Sequence, residues 1–276
     1  MIDEIIILFL TYKSKSEEDG VNQLKSIAAR MFPLAKVTFI TIDNAIITDS
    51  YFEEMRSSIR ISGDNSQYEF SGWDCGISFI NKELKISNNT MILFANDTFY
   101  RRNYKDGTNF LDIFDAPILE GKNISTSAVG YLDDFPKNVR INGIVYKSWI
   151  RSNIFILPIS VVSAIYPLSI EFPLSEVFSD SIDKFWSDSD LISENWKAYI
   201  SSWMFGVENK NFPEYKLHWL KAEPLCENNW EMFKKKALCI LSEHYLSAKL
   251  HKLNVPIIDT NIFEKKINRH VSAYYA

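Results

Sequence analysis

Each of three short apolar runs in this sequence ends in polar side chains of types that bind nucleotides and cations. Because the carboxyl ends of parallel strands meet at one edge of a sheet, such side chains converge on the crevice where open α/β sheets bind ligands. Any one of them alone is more typical of a turn or a helix cap than of a site, so the repetition is what indicates a site. The predicted nucleotide-diphosphate site contains Thr11 and Tyr12 after the first run, Asp43 and Asn44 after the second, and Asn96, Asp97 and Thr98 after the third.

A second motif, Glu69-Phe70-Ser71-Gly72-Trp73-Asp74-Cys75-Gly76, combines acids and a tryptophan with two glycines at a predicted helix start. Glycines let a ligand approach the backbone closely, so Glu69, Trp73 and Asp74 join the predicted nucleotide site. The alternative is a tight loop in which Asp74 caps the helix and Trp73 enters the core.

The elements that must position these residues alternate between strand and helix. The β-α-β opening predicts a parallel pair, and the order β-α-β-α-α-β predicts an α/β, Rossmann-like, mainly parallel sheet flanked by helices, with a mostly helical C-terminal region. Strands are predicted at Ile5–Leu10, Val37–Ile42, Met91–Ala95, Ala128–Leu132, Ile150–Leu157 and Val255–Ile258, and helices at Gly20–Phe32, Phe52–Ile61, Trp73–Lys85, Ile159–Tyr166 and Trp230–Ala248.

Length and composition indicate an ordinary globular chain. The 276 residues predict a single domain with a nucleotide-binding half (1–100), an acceptor half (101–180) and a helical region (181–276). A net charge of −5 disfavours a nucleic-acid partner. Three cysteines without metal spacing favour a reducing compartment, and the acidic start Met1-Ile-Asp-Glu does not resemble a signal peptide, so a cytoplasmic location is expected.

One uncharged segment, from Ser152 to Ile170, approaches the length of a membrane span. Pro158 and Pro167 interrupt it, and serines recur along it. We therefore predict a buried strand followed by a buried helix rather than a transmembrane helix.

Four short segments resemble bacterial glycosyltransferases with a GT-A-type fold that build cell-surface polysaccharides, and the rhamnan-synthesis group is the nearest. In that group an aromatic-acid-x-Gly helix start precedes a strand that ends in Asn-Asp-Ser. The resemblance covers the order of elements from Ile5 to Ile258 and is specific only at these segments. They are Glu69 to Gly76, Asn96 to Thr98, Trp149 to Phe155, and Glu243 to Ser247.

The resemblance implies transfer of a sugar from a nucleotide-sugar donor to a glycan or lipid-linked glycan acceptor, in O-antigen, capsule or rhamnan-type biosynthesis. It makes Asn96-Asp97-Thr98 the counterpart of an Asp-x-Asp metal motif, with Asp97 as its one acid. Metal dependence stays open: either Mn²⁺ or Mg²⁺ binds at Asp97, or Arg101, Arg102 and Lys105 neutralise the leaving diphosphate. A lipid-linked acceptor implies peripheral contact with the inner membrane.

Inverting transfer needs a base that deprotonates the acceptor hydroxyl. Asp133 and Asp134 follow a predicted strand and are candidates, although a turn before Pro136 is the alternative interpretation. Glu243, on the C-terminal helix, either orients the acceptor or caps polar groups at the edge of the core. Further predicted contacts to a phosphate or the acceptor come from Arg101, Arg151 and Ser152, although pairing with a nearby acid is the alternative for Arg151.

Other classes lose support because their motifs are missing from the sequence. There is no Gly-x-Gly-x-x-Gly, P-loop or Gly-x-Ser-x-Gly, and the four histidines lack metal spacing. Two rivals remain. One is a non-catalytic nucleotide- or carbohydrate-binding module that kept the fold, and the other is a scaffold subunit of a polysaccharide-assembly complex.

Overall fold

A computed structural model describes residues 2–13, 17–46, 52–55, 58–99, 122–208, 210–213, 219 and 221–260. Within these ranges the strands are β1 (Glu4–Thr11), β2 (Lys36–Asp43), β3 (Phe52–Met55), β4 (Ser58–Ser62), β5 (Thr90–Asn96), β6 (Ala128–Ile141), β7 (Ile144–Pro158) and β8 (Ile257–Asp259). The helices are α1 (Glu17–Met31), α2 (Glu69–Glu83), α3 (Ile159–Ile165), α4 (Leu174–Val177), α5 (Glu194–Phe205) and α6 (Trp230–Lys252).

The described strands form one eight-stranded sheet in the order β3-β4-β2-β1-β5-β7-β6-β8. Strands β4, β2, β1 and β5 are parallel neighbours, whereas β3 is antiparallel to β4 and β7 is antiparallel to β5. This confirms an α/β fold with a mostly parallel, mixed sheet. The order reverses at β1, since β2 and β4 continue to one side of it and β5 lies on the other. Such a topological switch point is where open α/β sheets bind ligands.

Strand β1 is buried along its whole length because helices cover both faces of the sheet. Phe9 shares a core cluster with Leu24 of α1. Leu10, which points to the opposite face, lies against Gly72 of α2. A continuous apolar run, rather than an alternating one, is what a strand covered on both faces requires.

Glycines let α2 approach the sheet closely. A Cβ added to Gly72 would lie 2.4 Å from Leu10 Cδ1 and 2.5 Å from Asn44 Oδ1, and one on Gly76 would lie 2.7 Å from Ile42 Cδ1. The glycines of the second sequence motif therefore serve helix–sheet packing. The helix itself begins at Glu69, four residues before its predicted start.

Two predictions from the sequence are wrong. The helix predicted from Phe52 to Ile61 is the antiparallel pair β3 and β4, and Ile61 is buried beside Ile42 of β2. Its β-branched residues alternate, and pairing with β2 outweighs local helix propensity. The strand predicted at Ala128–Leu132 continues to Ile141, so Asp133 and Asp134 lie within β6 rather than after it. The remaining predicted strands and helices correspond to elements of the fold, with different ends.

The chain forms two compact units. The first contains Met1–Leu132, Ile150–Leu168 and Asn254–Ala276, and the second contains Asp133–Trp149 and Ser169–Leu253. Strands β6 and β7 contribute residues to both. The single domain with three sections that the sequence indicates stays a prediction.

The core of the second unit is rich in aromatic rings that surround His244 of α6. The His244 ring centroid lies 4.9 Å from that of Phe135 and 4.6 Å from that of Trp149. Trp196 Nε1 donates a hydrogen bond to His244 Nδ1 at 2.9 Å, so this nitrogen carries no proton. Burial lowers the pKa of His244 to about 3.

Replacing Gly72 with alanine should destabilise the first unit by about 1–3 kcal/mol, because the new methyl group overpacks the contact with Leu10 and Asn44. Chemical denaturation of the variant and the wild type measures the change. Ser78→Ala on the same helix is the control and should be neutral or slightly stabilising, since Ser78 is half-buried and alanine favours helix. Equal stability of Gly72→Ala and wild type would contradict the close packing.

His244 should make the protein less stable as pH falls. Its folded-state pKa lies below the ordinary value, so between about pH 6.5 and 3 the unfolded chain binds a proton that the folded chain does not. His244→Asn removes the titrating imidazole, so unfolding of the variant lacks this proton uptake. The wild type should lose up to about 1.4 kcal/mol per pH unit more than the variant in that window. Urea denaturation at pH 8, 6, 5 and 4 tests this, and parallel pH profiles for the two proteins would show that His244 does not titrate in this way.

Candidate functional site

The structure brings the three predicted strand ends to one edge of the first unit. Thr11 is the register partner of Asp43, and Leu10 is that of Asn96. Because these pairs lie at the carboxyl ends of parallel strands, the polar residues form a continuous row, which we call the rim. The rim consists of the carboxyl ends of β2, β1 and β5 with the residues that follow them.

A hydrogen bond crosses the switch point between β1 and β5. Tyr12 N donates to Asp97 Oδ2 at 3.4 Å. Asn96 shapes the turn that follows β5, because its Oδ1 accepts from Thr98 N at 3.0 Å and from Thr98 Oγ1 at 2.6 Å. Tyr12 and Thr98 are exposed and Asp97 is half-buried, so these three residues face solvent at the switch point.

Asp43 is held by an ion-pair network rather than lying open at the rim. Its Oδ1 accepts from Ala45 N at 3.0 Å, and its Oδ2 pairs with Arg60. Arg60 also pairs with Glu17 Oε1 of α1 at 2.6 Å. Burial lowers the pKa of Arg60, but the hydrogen bonds to Glu17 and Asp43 outweigh it and raise that pKa above its ordinary value.

Arg60 did not appear among the predicted site residues because its segment was predicted to be helical. The β-branched alternation from Ser58 to Ser62 is the signal that places Arg60 on a strand next to β2.

Asn44 joins the sheet edge to the loop that precedes α2. Its Nδ2 donates to Tyr68 O at 2.9 Å and to Asn65 Oδ1 at 3.4 Å, and the side chain is almost fully buried. A Cβ on Gly63 would lie 1.9 Å from Asn44 Oδ1, so the loop is in close contact with this amide. Asn44 therefore positions the N-terminal turn of α2.

The residues of the motif from Glu69 to Gly76 serve two roles, since some pack in the core and others lie near the rim. Trp73 is fully buried, with its ring centroid 5.4 Å from that of Phe155, so the core interpretation of this residue is confirmed. Asp74 Oδ1 accepts from Leu168 N at 2.6 Å and thus holds the segment after α3. Glu69, which is half-buried, accepts a hydrogen bond from Ser152 Oγ of β7 at 3.2 Å.

Strand β7 adds further residues at the level of the rim. Arg151 lies over the Tyr131 ring, with Cζ 4.1 Å from the centroid, which is a cation–π contact. Asn153 directly precedes Ile154, which pairs with Ala95 of β5, and is therefore level with Asn96. Asn153 is 5% exposed, and neither of its amide atoms has a hydrogen-bond partner among the described residues.

Asn153 was missed by the sequence analysis, although the sequence contains a signal for it. An asparagine that interrupts the apolar run of a buried strand needs a partner for its amide, because burying that group without one is unfavourable.

The two predicted base candidates and Glu243 belong to the second unit. Asp133 is half-buried and Asp134 is exposed, both within β6, and Glu243 is half-buried on α6 next to His244. Arg101, Arg102 and Lys105 lie outside the described residues.

The described residues do not supply a protein metal site. No group of three or more histidine, cysteine, aspartate and glutamate side chains within the described ranges is arranged to hold a metal ion. The second acid of the rim, Asp43, is already paired with Arg60. The metal-binding role of Asp97 stays a prediction.

Comparison with known proteins returned no assignment. No protein-family model matches the chain, and a search of curated proteins found no match either. In the part of the chain that the structure describes, no helix combines the length and apolar character needed to cross a membrane.

Arg60→Met should destabilise the first unit by about 1–3 kcal/mol, because it leaves the buried carboxylate of Asp43 without its cation. Lys36→Met is the matched control, since Lys36 pairs with Glu4 at 2.9 Å but is 74% exposed, and its loss should change the free energy of unfolding by about 1 kcal/mol or less. Urea denaturation compares the two variants. Similar losses of unfolding free energy in both variants would show that Arg60 stabilises the fold no more than an exposed ion pair does.

Proposed function

We propose that this chain is a glycosyltransferase that moves a sugar from a nucleotide-sugar donor to a glycan or lipid-linked glycan acceptor in bacterial surface-polysaccharide biosynthesis. The observation that carries the proposal is the hydrogen bond from Tyr12 N to Asp97 Oδ2 across the switch point of an open, mostly parallel sheet. The resemblance of four sequence segments to GT-A-type enzymes supports it and suggests a GT-A-like version of the fold.

In this proposal the nucleoside lies at the ends of β1 and β2, and the diphosphate lies at the switch point. Tyr12 is 48% exposed, so its ring offers a face for the base. Lys13 Nζ lies 5.4 Å from the Tyr12 ring centroid and supplies a positive charge beside it. Stabilising a departing diphosphate requires a positive charge, and in this proposal the ammonium group of Lys13 supplies it.

The chemical step breaks the bond between the anomeric carbon and the diphosphate oxygen, while an acceptor hydroxyl oxygen forms the new bond. The electron pair of the broken bond leaves with the diphosphate, and a carboxylate takes the hydroxyl proton. Asp133, Asp134 and Glu243 are the predicted carboxylates. The base is the residue whose alanine variant loses transfer but keeps nucleotide binding. A cytoplasmic enzyme in peripheral contact with the inner membrane would reach a lipid-linked acceptor.

A specific observation favours a non-catalytic nucleotide- or carbohydrate-binding module as the second candidate. Several predicted site residues are engaged in internal contacts, namely Asp43 with Arg60, Asn44 with Tyr68, and Asp74 with Leu168. A binding module would be stabilised by nucleotide sugars and would neither hydrolyse nor transfer them. An assay for released nucleoside diphosphate, with and without an oligosaccharide acceptor, separates the two candidates.

Thermal-shift measurements with uridine, guanosine and thymidine diphosphates, each with and without Mn²⁺, test the proposed site directly. A ligand present at a hundredfold excess over its dissociation constant stabilises by about 2.7 kcal/mol. A wild-type protein that responds to none of these nucleotides would overturn the proposal.

Asp97→Ala should weaken or abolish the response to the nucleotide that binds, because alanine cannot accept the hydrogen bond from Tyr12 N that positions the residue proposed to meet the base. Asp3→Ala is the matched control. Asp3 precedes β1 at the opposite end of the sheet, where it accepts a hydrogen bond from Asn89 Nδ2 at 3.0 Å. The control should respond like the wild type. An Asp97→Ala variant with unchanged nucleotide affinity and transfer rate would remove Asp97 from the site.

A further inference from the structure

The side-chain amide of Asn153 is buried at the rim and forms no hydrogen bond with the described residues. The side chain is 5% exposed, and its Oδ1 and Nδ2 have no partner among the residues that the structure describes. A buried amide that is stripped of water and left unpaired is costly, so native proteins rarely keep one without a reason. Binding sites are a common reason, because their polar groups are paired only when the ligand arrives.

Two further buried atoms at the rim share this condition. Thr11 Oγ1 and Asn44 Oδ1 have no hydrogen-bond partner within the described part of the chain. Thr11 ends β1 and Asn44 follows β2, so both belong to the edge that carries Asn153. Asn44 Oδ1 packs against Gly63 and Gly72 and so serves the frame, whereas Thr11 Oγ1 and the Asn153 amide lie at the edge where the proposed nucleotide sugar binds.

The order of the strands indicates which part of the ligand each atom would meet. Along the rim the order is β2, β1, β5 and then β7. Three strand spacings give an extent of about 14 Å, which suits a nucleoside diphosphate with one sugar attached. With the nucleoside at β2 and β1 and the diphosphate between β1 and β5, the next group along the rim is the sugar, and it meets β7.

We propose that Asn153 is a specificity-determining residue that hydrogen-bonds two neighbouring hydroxyl groups of the donor sugar. This inference rests on the proposed function and identifies a contact within the same site. A primary amide offers one acceptor and one donor side by side, and adjacent hydroxyls offer the complement. Ser152, which precedes Asn153 on β7, donates a hydrogen bond to Glu69 of α2 at 3.2 Å, so a polar pair lies at the same edge.

The first test compares the same substitution at two rim asparagines without any ligand. Asn153→Leu keeps the shape of the side chain and removes an amide with no described partner, so the melting temperature should stay equal to that of the wild type or rise. Asn44→Leu removes an amide that bonds Tyr68 O at 2.9 Å, so the melting temperature should fall by several degrees. A fall at Asn153 as large as that at Asn44 would overturn the inference, because the amide would then be serving the fold.

The second test separates the sugar from the nucleotide in the full chain. Thermal shifts and titrations are measured with UDP and UDP-glucose, GDP and GDP-mannose, and dTDP and dTDP-rhamnose. The wild type should bind one sugar conjugate more tightly than the matching diphosphate. Asn153→Leu should bind that conjugate about tenfold or more weakly while binding the diphosphate as the wild type does.

The outcomes distinguish the inference from the proposed function. If no nucleotide binds the wild type, the proposed function fails and the inference fails with it. If the diphosphates bind but no conjugate binds more tightly, or if Asn153→Leu keeps the full gain from the sugar, the inference alone is overturned.

Discussion

Backbone pairing of β1 with both β2 and β5 is the constraint on which the rest of the structure depends. Parallel register carries Thr11, Asp43 and Asn96 to one edge, and the strand order changes direction at β1, which is where open α/β sheets bind ligands. Since β1 is covered on both faces, its register is fixed by the apolar side chains that point to each face. A slip of one residue would exchange those faces, so the core and the rim are specified together.

Residues that look alike in the sequence take different roles at this edge. Asp43 is locked by Arg60 and Glu17, whereas Asp97 is reached by a backbone N–H from the neighbouring strand end. Asn44 has its amide nitrogen paired with the loop before α2, whereas Asn153 has neither amide atom paired among the described residues. The first residue of each pair stabilises the frame of the rim. In the proposed function the second residue of each pair lies at the ligand, and this division follows from which partners the fold places nearby.

Much of the fold could be predicted from periodicity. The run from Ile5 to Leu10 is apolar throughout, the apolar residues from Gly20 to Phe32 recur with a helical period, and both segments correspond to elements of the fold. The helix prediction for Phe52 to Ile61 was wrong because the structure of this segment depends on pairing with β2. Local propensity carries no information about that pairing. The prediction that β6 ends at Leu132 was wrong for a similar reason. Its continuation buries Phe135, Val139 and Ile141 in a core that is assembled from distant segments.

The sequence by itself determined the positions of β1, β2 and β5, the types of the polar side chains that follow them and the α/β class, because these follow from short-range patterns of apolar and polar residues. Only the tertiary structure decided that Trp73 enters the core, that Arg60 neutralises Asp43, and that Asn153 is buried beside the rim. Each of these depends on residues distant in sequence. Whether a side chain is paired or left without a partner is set by which strands and helices become neighbours, and that is decided when the chain packs.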